Sequence, residues 1–271
     1  MKITDFSKST GRVAVVTGAA SGIGKAIAEL FSANGMKVVV TDLQDKAGQA
    51  VVDGIRAAGG DACYCHVNVQ QEVEVQAAMR TAVDTYGKLH VVVNNAGIGT
   101  ALHPVHEFDS EQFKRVTEIN YLGTFYGMKH GVQAMLDSKA EGCAIINIAS
   151  AAALIQSGNY TCYNASKAAV IALSKEAGLD YAKHDITVNT ICPGVIDTPI
   201  YSKLAPEQLK RSLAKCPMGR FGQPEEIAEM ALFLASDMAR FITGTVIPVD
   251  GGMSVGPYVD FQWETPDPRQ H

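Results

Sequence analysis

Short apolar runs alternating with longer helical patterns limit the possible folds of this chain more than any other feature. Runs rich in β-branched residues fall at 12–17, 37–41, 62–69, 89–94, 143–150, 186–191 and 244–250. Most are continuously apolar, as in "RVAVVT" and "LHVVVN". Unbroken apolar character is expected of parallel strands covered on both faces. Helical patterns occupy the intervals at 24–34, 45–58, 73–86, 110–136, 162–183 and 224–236. The last opens on Pro224, Glu225 and Glu226, which suit a helix N-terminus. The alternation predicts a doubly wound α/β fold with seven parallel strands and helices on both faces. No linker or repeat divides it, so one catalytic domain is expected over residues 1–253, with cofactor and substrate sites together. Residues 254–271, rich in Pro and aromatics, are expected to form a tail that is either partly disordered or docked on a neighbouring surface.

Composition narrows the function classes. With 271 residues, 47% apolar and 19% charged, the chain is expected to be soluble and to bury a sizeable core. A formal charge of −5 gives no support to nucleic-acid or anionic-membrane binding. No stretch approaches the roughly 18 consecutive apolar residues that span a bilayer. The opening "MKITDFSKST" lacks the apolar segment of a secretory signal, so a cytoplasmic protein is expected. Cys63, Cys65, Cys143, Cys162, Cys192 and Cys216 are then expected to be reduced thiols. "CYCH" at 63–66 has no second Cys/His pair at ligand spacing, and His103 and His106 read as a loop rim. No metal site is expected.

The first strand runs into "TGAASGIG", with Gly18, Gly22 and Gly24 around Ser21 and Ile23. Glycines here permit a tight turn and close backbone approach to a pyrophosphate, which would meet the amides of the following helix. Asp42 follows the second strand, 18 residues beyond Gly24. A carboxylate at that place accepts hydrogen bonds from a ribose and repels a 2′-phosphate. Its neighbours Ala19, Ala20 and Leu43 supply no cation, which favours NAD over NADP.

"YNASK" places Tyr163 and Lys167 four residues apart, on one face of a helix. That spacing alone carries little information. Joined in order to the glycine turn, "NNAG" at 94–97, "IAS" ending at Ser150 and "CPG" at 192–194, it carries much more. With this set the chain resembles the short-chain dehydrogenase/reductase family over residues 12–252, a Rossmann-type scaffold. The resemblance implies a catalytic group of Asn120, Ser150, Tyr163 and Lys167. It also implies cofactor contacts from Asn95, Ala96 and Gly97, from Tyr163 and Lys167, and from Pro193, Gly194, Val195, Ile196 and Thr198. The family's Asp-Val facing the adenine is replaced here by Asn68-Val69, whose amide oxygen can still accept from the adenine amino group.

The chemistry follows from acidity. A free phenol has a pKa near ~10, too high for an efficient base at neutral pH. A nearby Lys167 ammonium, with an oxidised nicotinamide, would favour the phenolate. Ser150 would hold the substrate oxygen, and Asn120 would anchor a water leading protons from Lys167 to solvent. Tyr160 has Asn164 rather than a cation at its own i+4 position and is assigned to the pocket wall.

The family places a substrate lid at 195–222, here with Ile196, Ile200, Tyr201, Leu204 and Met218. With Leu154 and Ile155 these suggest an apolar pocket and a hydrophobic or neutral secondary alcohol, or the matching ketone. Lys203, Lys210, Arg211 and Lys215 either line a charged rim or are solvated. The resemblance further implies a homotetramer, built on the helix bearing Ala165, Ala168, Ala169 and Ala172 and on the last strand. Two rival functions share the scaffold: an epimerase or dehydratase, and a non-catalytic cofactor sensor.

Overall fold

The computed structural model describes residues 10–155, 158–199 and 206–256. The expectations for Ile200, Tyr201, Lys203 and Leu204, and for the tail from residue 257 onward, lie outside the described residues. Within them the strands are β1 (Val13–Thr17), β2 (Lys37–Asp42), β3 (Asp61–His66), β4 (Val91–Asn94), β5 (Cys143–Ile148), β6 (Ile186–Pro193) and β7 (Val246–Val249). They form one seven-stranded sheet in the order β3-β2-β1-β4-β5-β6-β7. Every neighbouring pair is parallel. The order reverses between β1 and β4, which opens a crevice beyond the C-terminal ends of the strands.

The helices are α1 (Gly22–Ala33), α2 (Asp45–Ala57), α3 (Glu72–Tyr86), α4 (Ser110–Thr117), α5 (Gly123–Asp137), α6 (Thr161–Tyr181), α7 (Pro206–Leu213) and α8 (Pro224–Leu234). Successive strand residues point to opposite faces. Ala14 and Val16 therefore meet Ile27 and Phe31 of α1, Val52 of α2 and Ile227 of α8 on one side. Val13 and Val15 meet Met79 of α3, Val132 and Met135 of α5 and Ala177 of α6 on the other. Both faces are dry, which is why the strands read as unbroken apolar runs.

Three elements differ from the sequence expectation. β3 stops at His66, after which Val67 N still donates to Asp42 O (3.1 Å). Asn68 then turns the chain: its Oδ1 accepts from Gln70 N (3.1 Å) and its N–H donates to Glu74 Oε2 (2.7 Å). Turn chemistry at the Asn outweighs the β-propensity of the flanking valines. The helix expected over 110–136 is divided by a wide π turn at Glu118–Leu122, between α4 and α5. Such turns shift the helix register and occur often at functional sites. α7 lies within the expected lid, where the mostly polar sequence "PEQLKRSL" offers little apolar periodicity to mark a helix. Among the described residues, no helix is long and apolar enough to cross a membrane.

Candidate active site

The crevice is built from the sheet upward. Asn94 at the end of β4 donates from Nδ2 to Asn147 Oδ1 of β5 (2.8 Å). Asn147 Nδ2 donates in turn to Ser174 Oγ of α6 (2.8 Å). This buried chain ties α6 to the centre of the sheet, in register with the ends of the strands. Asn95 closes the other side: its Nδ2 donates to Thr17 O (2.9 Å) and Gly18 O (3.1 Å). Thr17 Oγ1 accepts from the amides of Asn95 and Ala96, each at 3.0 Å.

The turn after β1 requires its glycines. Gly18 has a φ of +64°, a region that costs a side-chain-bearing residue energy. Gly24 packs so closely that a Cβ there would strike Gly18 O and Asn95 Nδ2. Ser21 occupies the N-cap of α1 without a side-chain cap hydrogen bond, so the first amides of α1 remain for an oxyanion. Asp42 faces this turn. Its Oδ2 accepts from Ala20 N and its Oδ1 from Gln44 N, both at 3.0 Å. Beside it, His66 Nδ1 and Asp45 Oδ1 stand 2.6 Å apart, and Leu43 is exposed. Thr198 lies over Gly22, where its Cγ2 would stand 3.3 Å from an added Cβ. A bare turn and free helix amides fit the pyrophosphate of a dinucleotide, and a fixed carboxylate stands beside them.

Ser150, Tyr163 and Lys167 converge at the ends of β5 and β6. Ser150 caps a short helical turn through its Oγ, which accepts from Ala152 N (3.1 Å). Its hydroxyl also stands near the Tyr163 phenol, where it favours the phenolate. Lys167 is 4% exposed and donates from Nζ to Ile148 O (2.8 Å). The same Nζ stands 6.0 Å from the Tyr163 ring centroid. Asn120, on the π turn, is fully buried: Oδ1 accepts from Ile98 N (2.8 Å), and Nδ2 donates to Ile98 O (3.0 Å) and Ser166 Oγ (3.2 Å). An added Cβ on Gly97 would stand 3.2 Å from Asn120 Oδ1 and 3.3 Å from Lys167 Nζ. Both heads therefore face one point above Gly97.

The electrostatics of the cofactor-free site are set by burial. Burial pushes the Tyr163 phenol up, against the opposing Ser150 hydroxyl. Burial also brings Lys167 down from its ordinary 10.5 to about 8. Desolvation acts on both groups, and the ammonium is bound to Ile148 O rather than to the phenol. The chain by itself does not depress the Tyr163 pKa. Lys167 nevertheless remains cationic at pH 7.

That burial carries a stability prediction. The unfolded chain binds more protons than the folded one between pH 8 and 10.5, so the penalty is full below 8 and fades as pH rises through that window. A shift from 10.5 to about 8 corresponds to about 3 kcal/mol, part of which the bond to Ile148 O offsets. Lys167→Met should therefore raise the Tm of the cofactor-free protein at pH 7 by about 3–6 °C. The gap should narrow toward pH 10. Thermal melts of both proteins at pH 7 and 10 check this, and a variant less stable at pH 7 would refute it.

Several expected contacts are placed less favourably. Asn68 Oδ1 already serves Gln70 N, and Val69 is buried against Gly123. Val195 and Ile196 are buried, with Ile196 bridged to Gly222. Pro193 continues β6 beside Val249, and Gly194 lies too close to Asp250 Cα to carry a side chain. A cavity of about 300 Å³ opens between Val195, Ile196, Cys216, Met218 and Gly251, with neither Ser150 nor Tyr163 in its wall. Sequence reading missed Asn147, Ser166 and Ser174, which position the site. A polar Asn inside the apolar strand "CAIINI" was the available signal for Asn147.

A family model described as enoyl-(acyl carrier protein) reductase matches residues 18–254. The chain belongs to the short-chain dehydrogenase/reductase family. The match establishes kinship. Within the family, cyclohexanol dehydrogenase of Acinetobacter sp. (strain SE19) is 41% identical, over 90% of this chain and 96% of the relative. Cis-4-hydroxycyclohexanecarboxylate dehydrogenase of Sinomonas cyclohexanicum is also 41% identical, over 89% of this chain and 96% of the relative. The crystal structure of gox2181 superposes with a TM-score of 0.88 at 31% identity, covering 93% of this chain and 98% of that one. Dehydrogenases of the family use nicotinamide cofactors, and the chain is an oxidoreductase of that family.

Proposed function

We propose that the chain is an NAD(H)-dependent dehydrogenase of secondary alcohols, with a ring-borne hydroxyl as the preferred group. The convergence of Ser150, Tyr163 and a buried Lys167 carries this reading. The hydroxycycloalkane substrates in the relatives' names support the ring. Gly18, Ser21, Gly22, Ile23 and Gly24 would hold the pyrophosphate, and Asp42 the adenosine ribose. When bound, NAD supplies the hydride acceptor and a second positive charge in the cleft.

The remaining steps belong to the chain. Ser150 donates to the substrate oxygen and orients its carbon. Tyr163 takes the hydroxyl proton in oxidation and returns it in reduction. Lys167 favours the phenolate that burial alone opposes, because a cation in a water-poor cleft is weakly screened. Asn120 fixes the loop at Ile98 and the base of α6 at Ser166, and would anchor the water that carries the proton onward. One domain holds both sites, and the cytoplasm is the compartment that suits six free thiols. A homotetramer fits the exposed Leu179 on α6, the exposed Phe241 and the β7 edge, which has a single strand neighbour among the described residues.

The test is NADH formation followed by absorbance with cyclohexanol and acyclic secondary alcohols, and the reverse reaction with their ketones. Turnover of the ring alcohol is expected. Failure with every alcohol and ketone would sink the reading.

A further inference from the structure

We propose that Lys215 is a substrate-binding residue that selects secondary alcohols carrying a carboxylate away from the reacting carbon. The inference rests on the assignment of Tyr163 to the chemistry. Lys215 Nζ stands 5.8 Å from the Tyr160 ring centroid, within cation–π distance. Tyr160 occupies the N-cap of α6, three residues before Tyr163. The ammonium is thus held beside the first turn of the helix that carries Tyr163.

Both ends of this contact are anchored. Cys216 is buried, and its thiol donates to Asp250 O (3.8 Å) and Gly251 O (3.7 Å). Met218 N donates to Gly251 O (3.2 Å), so the segment after α7 is docked on the turn after β7. Across the cleft, His103 is bridged to Tyr160, and His103 N donates to Asn159 O (3.1 Å). Lys215 itself is exposed, and among the described residues it makes no ion pair. An ammonium over a ring face keeps N–H donors free for an acceptor on its other side. Residues 206–215 also carry Lys210, Arg211 and Lys215 against Glu207, in a chain whose net charge is −5. That local reversal of sign attracts an anion toward this wall.

The experiment compares 4-hydroxycyclohexanecarboxylate with cyclohexanol in wild type, Lys215→Met and Lys215→Arg. A charge-assisted hydrogen bond predicts that Lys215→Met lowers the kcat/KM ratio of acid to neutral alcohol at least ~10-fold, mainly through KM. Lys215→Arg should restore most of that ratio. A smaller fall, or an equal loss for both alcohols, overturns the inference. Calorimetry with cyclohexanecarboxylate and the NADH-loaded protein gives a readout that needs no turnover. Binding by the wild type, weakened at least ~10-fold in Lys215→Met, supports the inference even if neither alcohol reacts, an outcome that would refute only the proposed dehydrogenase activity. Absent or unchanged binding overturns the inference while leaving cyclohexanol turnover intact.

Discussion

Tyr163→Phe is expected to cut turnover at least ~10²-fold while leaving NADH affinity nearly unchanged. The substitution deletes one oxygen from a ring that α6 holds in place, and α6 is itself tied to the sheet through Ser174 and Asn147. Ser150 still accepts from Ala152 N, so no large rearrangement of the pocket follows. What disappears is the group that exchanges the substrate proton. Steady-state kinetics with cyclohexanol, paired with NADH fluorescence titration, separates the two effects. A variant keeping more than a tenth of wild-type turnover, with chemistry rate-limiting, would move the acid/base role elsewhere.

Wild type is expected to prefer NAD over NADP by at least ~100-fold in kcat/KM, a difference of roughly 2.7 kcal/mol. Asp42 is held by Ala20 N and Gln44 N, so it cannot readily swing away from an added phosphate. Unit like charges 4 Å apart repel by about 4 kcal/mol at an effective dielectric of ~20, before screening. The neighbouring His66 offers little relief, because Asp45 faces it at 2.6 Å and cancels its charge when it is protonated. Asp42→Ala should narrow the preference by relieving repulsion. It should also weaken NAD binding, since the same carboxylate braces the glycine turn. Adding Leu43→Arg to that variant should move the preference further toward NADP, because position 43 is exposed beside Asp42 and can reach an added phosphate. Kinetics with both cofactors on the three proteins decide the matter, and equal use of NADP by the wild type would refute the assignment.

The chain's own order of residues determined a great deal. Unbroken apolar strands demanded cover on both faces, and their alternation with helices left a parallel sheet as the natural solution. The glycine turn, Asp42 and the Tyr163–Lys167 spacing were legible because they are local: a tight turn needs glycine, and i and i+4 share a helix face. Other features were invisible until the chain was folded. Asn94 and Asn147 are 53 positions apart, and only the β4–β5 register makes them partners. Asn120 reaches Ile98 because a π turn rotates it there, and nothing in "EINYL" announces such a turn. The Tyr163 and Lys167 pKa shifts depended on burial, which the spacing of the two residues does not reveal. Lys215 looked like one more solvated lysine until α7 and α6 brought it over Tyr160. Local stereochemistry can be read along a chain, whereas desolvation and long-range pairing exist only once distant segments exclude water together.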